Sequence, residues 1–129
     1  MVPQRFRDPL AGGVVLAKGI DGCVEAYPPR EWEEVSERVK RFSPYDQNAR
    51  KLRRMTFSGA FTATLDRQGR TLLPQSLRQF AGINEEVVIT GQDTYFEIWS
   101  PERWSAEEAQ GDNLAEIAQA LDAQREKGN

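Results

Sequence analysis

Val87-Val88-Ile89-Thr90-Gly91-Gln92-Asp93 repeats the pattern of an earlier stretch, Val15-Leu16-Ala17-Lys18-Gly19-Ile20-Asp21. In both, a strand-forming apolar run meets a glycine and an aspartate, the composition of a strand entering a turn. The correspondence extends outward in both directions. Downstream, Glu25 falls on Glu97, Tyr27 on Trp99, Pro29 on Pro101 and Trp32 on Trp104. Upstream, after a one-residue shift, Val2-Pro3-Gln4-Arg5-Phe6-Arg7 falls on Leu73-Pro74-Gln75-Ser76-Leu77-Arg78. An ordered set of matches with a single shift marks a duplication, and an internal period constrains architecture before any one element does. The chain reads as two copies of one unit.

The second copy is the fuller. Phe61-Thr62-Ala63-Thr64-Leu65 alternates like a strand, Asp66-Arg67-Gln68-Gly69 has turn composition, and Arg70-Thr71-Leu72-Leu73 resumes extended structure. Pro74 suits the first turn of a short helix, where its missing N–H costs little. Leu77 and Phe80 give that helix an apolar side, and Gly82 is placed to cap its end. Strands Val87–Thr90 and Tyr95–Trp99 follow, joined by Gly91-Gln92-Asp93-Thr94, and a helix starts at Ser100-Pro101.

In the first copy, Val14–Lys18 and Cys23–Tyr27 form the corresponding hairpin. Its closing helix carries Trp32, Val35, Val39 and Phe42 at helical spacing until Ser43-Pro44 breaks it. A linker helix from about Asn48 to Met55 carries Arg50, Lys51, Arg53 and Arg54. A last helix, capped by Asp112 or Asn113, is predicted to turn Leu114, Ile117 and Leu121 inward. The predicted organisation is a first repeat over 1–43, a basic linker helix over 44–57, a second repeat over 58–111, and a C-terminal helix with a frayed tail over 112–129. Nothing ahead of Val2 corresponds to Phe61–Leu72, so the first repeat reads as N-terminally incomplete and the native chain is expected to be longer.

Composition narrows the function. The chain has 129 residues, 39% hydrophobic, enough for one ordinary domain or two very small ones. It contains no histidine and one cysteine, Cys23. Ordinary zinc sites and Ser-His or Cys-His nucleophilic machinery are therefore excluded. A lone cysteine suits a reducing compartment, and no apolar run is long enough to span a bilayer. Residues 1–58 hold 11 Lys/Arg against 8 Asp/Glu, while residues 59–129 hold 6 against 12. The net charge of -3 does not exclude nucleic acid, because affinity follows local patches.

Leu65-Asp66-Arg67-Gln68-Gly69-Arg70, followed by Leu73-Pro74, resembles the Asp-x-x-x-Arg signature of the MraZ proteins, tandem relatives of the AbrB-like DNA-binding group. The duplication, the Gly91-to-Trp99 hairpin and the Ser-Pro-Glu-Arg-Trp helix start at Ser100–Trp104 agree with that resemblance, which covers essentially the whole chain. It implies a mainly β fold with peripheral helices, a double-split β-barrel built from two tandem ββα-type repeats that pair as a pseudo-dimer. It also implies ring-like homo-oligomers in the cytoplasm and nucleoid. These would bind promoter direct repeats upstream of the division and cell-wall gene cluster, usually as a repressor. The departure is the missing first signature.

Each signature residue has a physical role to play. Arg70 and Arg67 offer planar donor forks that fit phosphate oxygens or the acceptor edge of guanine. Gly69 permits the turn and close approach to a sugar-phosphate chain. Gln68 and Thr71 are secondary donors, and Asp66 orients Arg70, since a carboxylate repels phosphate. Taken alone, the motif reads first as a local Asp66–Arg70 ion pair closing an ordinary hairpin. Arg50, Lys51, Arg53 and Arg54 read as a solvated helix face or as auxiliary phosphate contacts. Trp32, Trp99 and Trp104 read as packing anchors, and Cys23 as an inert core residue.

No catalytic residue, cofactor, metal or small-molecule substrate is expected. A single mildly basic turn neutralises few phosphates, so binding is expected to depend on assembly. Three rival readings remain: an oligomer that binds protein partners and not DNA, a carboxylate enzyme using Asp66 and Glu97, and an antitoxin-like regulator.

Overall fold

Strands β1 (Val14–Lys18) and β2 (Val24–Tyr27) form an antiparallel hairpin in the register Val15↔Tyr27 to Lys18↔Val24. The computed structural model describes residues 2, 3, 7, 10 and 12–127. β3 (Phe61–Ala63) pairs with the outer edge of β1, and β4 (Val88–Gly91) pairs with β5 (Phe96–Trp99). The two hairpins are joined by β2 and β5, giving one antiparallel sheet in the order β3-β1-β2-β5-β4.

The duplication is written into that central junction. Val24 faces Ile98, Glu25 faces Glu97 and Ala26 faces Phe96. Glu25 and Glu97 are equivalent positions of the two copies, so a local twofold axis passes between them. Exchanging the copies maps the Val24–Ile98 pair onto the Phe96–Ala26 pair, and the register is unchanged. Side-chain hydrogen bonds obey the same symmetry. The Tyr27 hydroxyl donates to Glu25 Oε1 at 2.9 Å, and the equivalent Trp99 Nε1 donates to Glu97 Oε1 at 3.1 Å.

The period of two along each strand separates two apolar layers. On one face Val14, Leu16, Val24, Ala26, Phe96 and Ile98 form the core with Leu77, Ala81 and Ile83. Helix α3 (Gln75–Ala81) supplies Leu77 and Ala81 and closes at Gly82, whose φ of 67° lets the cap take the left-handed turn predicted for it. On the other face, Tyr27 stacks on Tyr95 at 4.7 Å, and Trp99 meets Trp104 at 5.8 Å. Helices α1 (Pro29–Arg41) and α4 (Pro101–Gln110) carry Trp32 and Trp104 to equivalent places on that layer. Ser100 caps α4, as predicted, by accepting from the Arg103 amide at 3.2 Å. Arg103 Nη1 then donates to the carbonyls of Gly22 and Phe80, each at 2.8 Å, tying the second copy's helix to the first copy's hairpin.

Several expectations need correction. The described elements are five strands and five helices, with more residues in helices than in strands, so the fold is mixed and not mainly β. No pairing among the described residues joins β3 to β4. Arg70 to Leu73 runs without ladder hydrogen bonds and is not a strand. Phe42 ends α1 56% exposed, because the chain leaves the helix there in an extended conformation. Helix α5 (Leu114–Lys127) does not bury its stripe: Leu114 is 74% and Leu121 61% exposed. The linker region forms α2 (Gln47–Ser58), capped by Asp46 Oδ1, which accepts from the Asn48 amide at 2.7 Å and the Ala49 amide at 3.2 Å.

Candidate functional site

The Asp66-to-Arg70 segment is a tight turn organised by one carboxylate. The Gly69 amide donates to the Asp66 carbonyl at 3.0 Å, and the Asp66 amide donates to the Arg70 carbonyl at 2.8 Å. Gly69 takes φ of 76°, so a β-turn followed by a left-handed residue reverses the chain. Asp66 Oδ1 accepts from the amides of Gln68 at 2.9 Å and Arg70 at 2.8 Å. Its second oxygen accepts from Arg70 Nε at 3.0 Å. The Arg70 amide, with the Arg70 side chain and the Gln68 amide behind it, holds the Asp66 carboxyl below the usual aspartate range. Ionised Asp66 is thus the acceptor that shapes the turn, and it aims the Arg70 side chain.

Only Nε of Arg70 is used in that contact. Its two terminal nitrogens have no partner among the described residues, and neither has the exposed side chain of Arg67. Gln68 is also exposed and Thr71 partly so, whereas Gly69 is buried. The predicted residues are therefore contiguous on one projecting turn, with two guanidinium groups turned to solvent. The local ion pair and the presented guanidinium coexist, since the pair occupies one donor position and leaves the fork's other nitrogens available.

The turn is also anchored from behind, by residues that sequence reading assigned no role. The Val2 amide donates to the Gly69 carbonyl at 2.8 Å, and Arg7 Nε donates to the Val2 carbonyl at 2.9 Å. The Arg7 guanidinium lies so close to Gly69 that a Cβ there would collide with it. Gly69 is consequently required both by its backbone angle and by its neighbour. The alignment that pairs Arg7 with Arg78 carries no hint of this, because the contact joins the two ends of the duplication.

The other candidates fall elsewhere. Arg50, Lys51, Arg53 and Arg54 are exposed on α2, with Arg50 Nη1 donating to the Pro44 carbonyl at 3.0 Å. The enzyme reading needs two carboxyls raised together in a cleft. Asp66 is instead lowered and sits on an exposed turn, whereas the carboxyl that burial raises is Glu25, on the sheet. Cys23 is 1% exposed, and burial beside Glu97 pushes its thiol up, so it stays protonated and unreactive. Among the described residues no group of three His, Cys, Asp or Glu side chains could hold a metal ion. No helix among them is long and apolar enough to cross a membrane.

A family profile described as "MraZ protein, putative antitoxin-like" matches the chain twice, over residues 1–55 and 56–125. A protein named Transcriptional regulator MraZ from Roseiflexus castenholzii is 48% identical over 103 residues, covering 80% of this chain and 72% of the relative. Proteins of the same name from Thermomicrobium roseum and Clostridium acetobutylicum are each 43% identical. They match over 119 and 104 residues, covering 89% and 81% of this chain and 84% and 73% of the relatives.

Proposed function

Because this chain belongs to the MraZ family, we propose that it is a DNA-binding transcriptional regulator, and not an enzyme, that meets double-stranded DNA through the Asp66–Thr71 turn. The observation that carries this reading is the state of Arg70: its Nε is pinned by Asp66 while its terminal nitrogens point free of any described partner. A guanidinium held in this way is pre-oriented, so less side-chain freedom is lost when it forks onto a phosphate or a guanine edge. Arg67, Gln68 and Thr71 extend the donor surface along the same turn, and Gly69, buried against Arg7, serves that surface by letting the chain reverse.

One such turn covers few phosphates, so affinity is carried by several copies on one duplex. Copies at a fixed spacing would read direct repeats in a promoter. We infer that the protein acts as a homo-oligomer, ring-like and nucleoid-associated in the cytoplasm, and represses a division and cell-wall gene cluster that includes its own gene. The same reading closes the sheet as a double-split barrel in which the two copies form a pseudo-dimer. Fluorescence anisotropy against the DNA upstream of the gene, beside a scrambled duplex, tests it. Specific binding is expected, and equal affinity for the two duplexes would overturn the reading.

A further inference from the structure

Leu72 is 85% exposed and directly follows the Asp66–Thr71 turn. A single exposed leucine is ordinary on a protein surface. What sets this one apart is how firmly its neighbours are held. Upstream, the Arg70 amide donates to Asp66 Oδ1 at 2.8 Å. Downstream, Leu73 packs against the core and Pro74 leads into α3. Between these fixed points exposure alternates: Arg70 and Leu72 are exposed, Thr71 and Leu73 partly buried. That is the two-residue period of an extended chain, so Arg70 and Leu72 share a face. The donor surface assigned to DNA therefore carries one branched apolar side chain beside its guanidinium groups.

Base pairs offer few apolar partners to such a side chain. On their major-groove edges the apolar group is the C5-methyl of thymine, while their minor-groove edges present hydrogen-bonding groups. The turn also suits the major groove in width. Its two legs are tied by the Asp66 amide, which donates to the Arg70 carbonyl at 2.8 Å. A two-stranded element of this kind enters a groove about 12 Å wide and is too broad for one about 6 Å wide. From Arg70 to Leu72 an extended chain advances at most about 7 Å, or two base-pair steps of about 3.4 Å.

We propose that Leu72 is a specificity-determining residue, which packs against the C5-methyl of a thymine within two base pairs of the group that Arg70 contacts. Arg70 supplies charge and a donor fork, and Leu72 adds a preference for thymine that uses no hydrogen bond. The inference rests on the reading that this turn meets DNA and deepens it by naming a base.

The test removes one group from the protein and one from the DNA. Anisotropy is measured for the wild type, Leu72→Ala and Leu72→Met against the duplex upstream of the gene, made with thymidine or with deoxyuridine throughout. Uracil differs from thymine only by the missing methyl. Taking a methyl out of water changes affinity about fourfold. The wild type should therefore prefer the thymine duplex by about fourfold for each turn engaged. Leu72→Ala should bind the thymine duplex more weakly by a similar factor and lose the preference, while Leu72→Met, still apolar, should keep it. The salt slope should hold, because no charge is touched. Any general effect of uracil on the duplex is common to wild type and variant, so their difference isolates the contact. The position is exposed, so the thermal midpoint and the sedimentation coefficient should match the wild type. Equal loss on both duplexes in Leu72→Ala would place the side chain in a minor-groove wedge or a contact between subunits, and overturns the proposal. A Leu72→Ala protein that keeps the wild-type preference overturns it too. No specific binding of the thymine duplex by the wild type defeats the DNA reading and this inference together, whereas specific binding blind to the methyl defeats this inference alone.

Discussion

Replacing Arg70 by alanine separates a DNA-contacting guanidinium from a merely structural one. The side chain is 59% exposed and its partner Asp66 is 45% exposed, so the ion pair is bathed in water and its loss leaves the thermal midpoint close to that of the wild type. The turn survives because Asp66 still accepts from the Gln68 and Arg70 amides, which the substitution leaves in place. DNA affinity should behave otherwise. Loss of a forked contact to a phosphate pair or a guanine costs about 1–3 kcal/mol per site, roughly five- to 150-fold in affinity. If the lost contact is to phosphate, the slope of log affinity against log salt falls by about one per turn engaged. If it is to guanine, the slope holds and discrimination against the scrambled duplex falls. Arg70→Lys keeps the charge but not the fork, so it should recover the salt slope and little of the discrimination. The assay is anisotropy across a salt series, with thermal melts in parallel. Unchanged affinity in Arg70→Ala, with the melt also unchanged, would refute the assignment of this side chain to DNA.

Gly69→Ala forces a side chain into φ of 76° and against Arg7, and should lower the unfolding free energy by about 1–3 kcal/mol in denaturant titration. Leu16, 1% exposed at the centre of the core, should cost about 2–5 kcal/mol when cut to alanine, a large share of a typical domain's stability. Glu25→Gln should stabilise the fold near neutral pH by about 0.2–1 kcal/mol, since it removes a like-charge pair across the strands. Burial raises the Glu25 carboxyl, so its ionisation opposes folding above its folded pKa. The advantage of the glutamine variant should therefore shrink as pH falls through that value, followed by melts at stepped pH. Acidification should also loosen the Asp66 turn. That carboxyl is lowered by hydrogen bonds made only when folded, so its contribution is complete above the unfolded aspartate pKa and lost as pH falls through the lower folded value. Arg70 amide exchange measured against pH checks this.

What the sequence made legible was local and periodic. The two hairpins, the glycine cap of α3, the Ser100 cap and the equivalence of Trp32 with Trp104 follow from turn chemistry and repetition, which act over a few residues. The Asp66 turn was legible for the same reason, because an aspartate before Arg-Gln-Gly-Arg can satisfy its own downstream amides. Contacts between distant segments were not legible. Arg7 behind Gly69, Arg103 across to Gly22 and the Glu25–Glu97 axis each need the tertiary fold to exist before they have any meaning. The reading of α5 erred for a different reason. An i, i+3, i+7 stripe says that a helix has a face to bury, and says nothing about whether its own chain will bury it.

The axis between Glu25 and Glu97 has one more consequence. In a true homodimer, any substitution at such an axis is made twice, and each residue there must tolerate its own image. Here both halves are encoded in a single chain, and the requirement is lifted. Tyr27 can answer Trp99, and Cys23 can answer Tyr95, as non-identical solutions to one geometric problem. Arg103, whose counterpart in the first copy is Glu31, goes further by making a bond that has no mirror image. Covalent fusion has turned a symmetry constraint into freedom to diverge, so one half can specialise in holding a turn while the other supplies the scaffold.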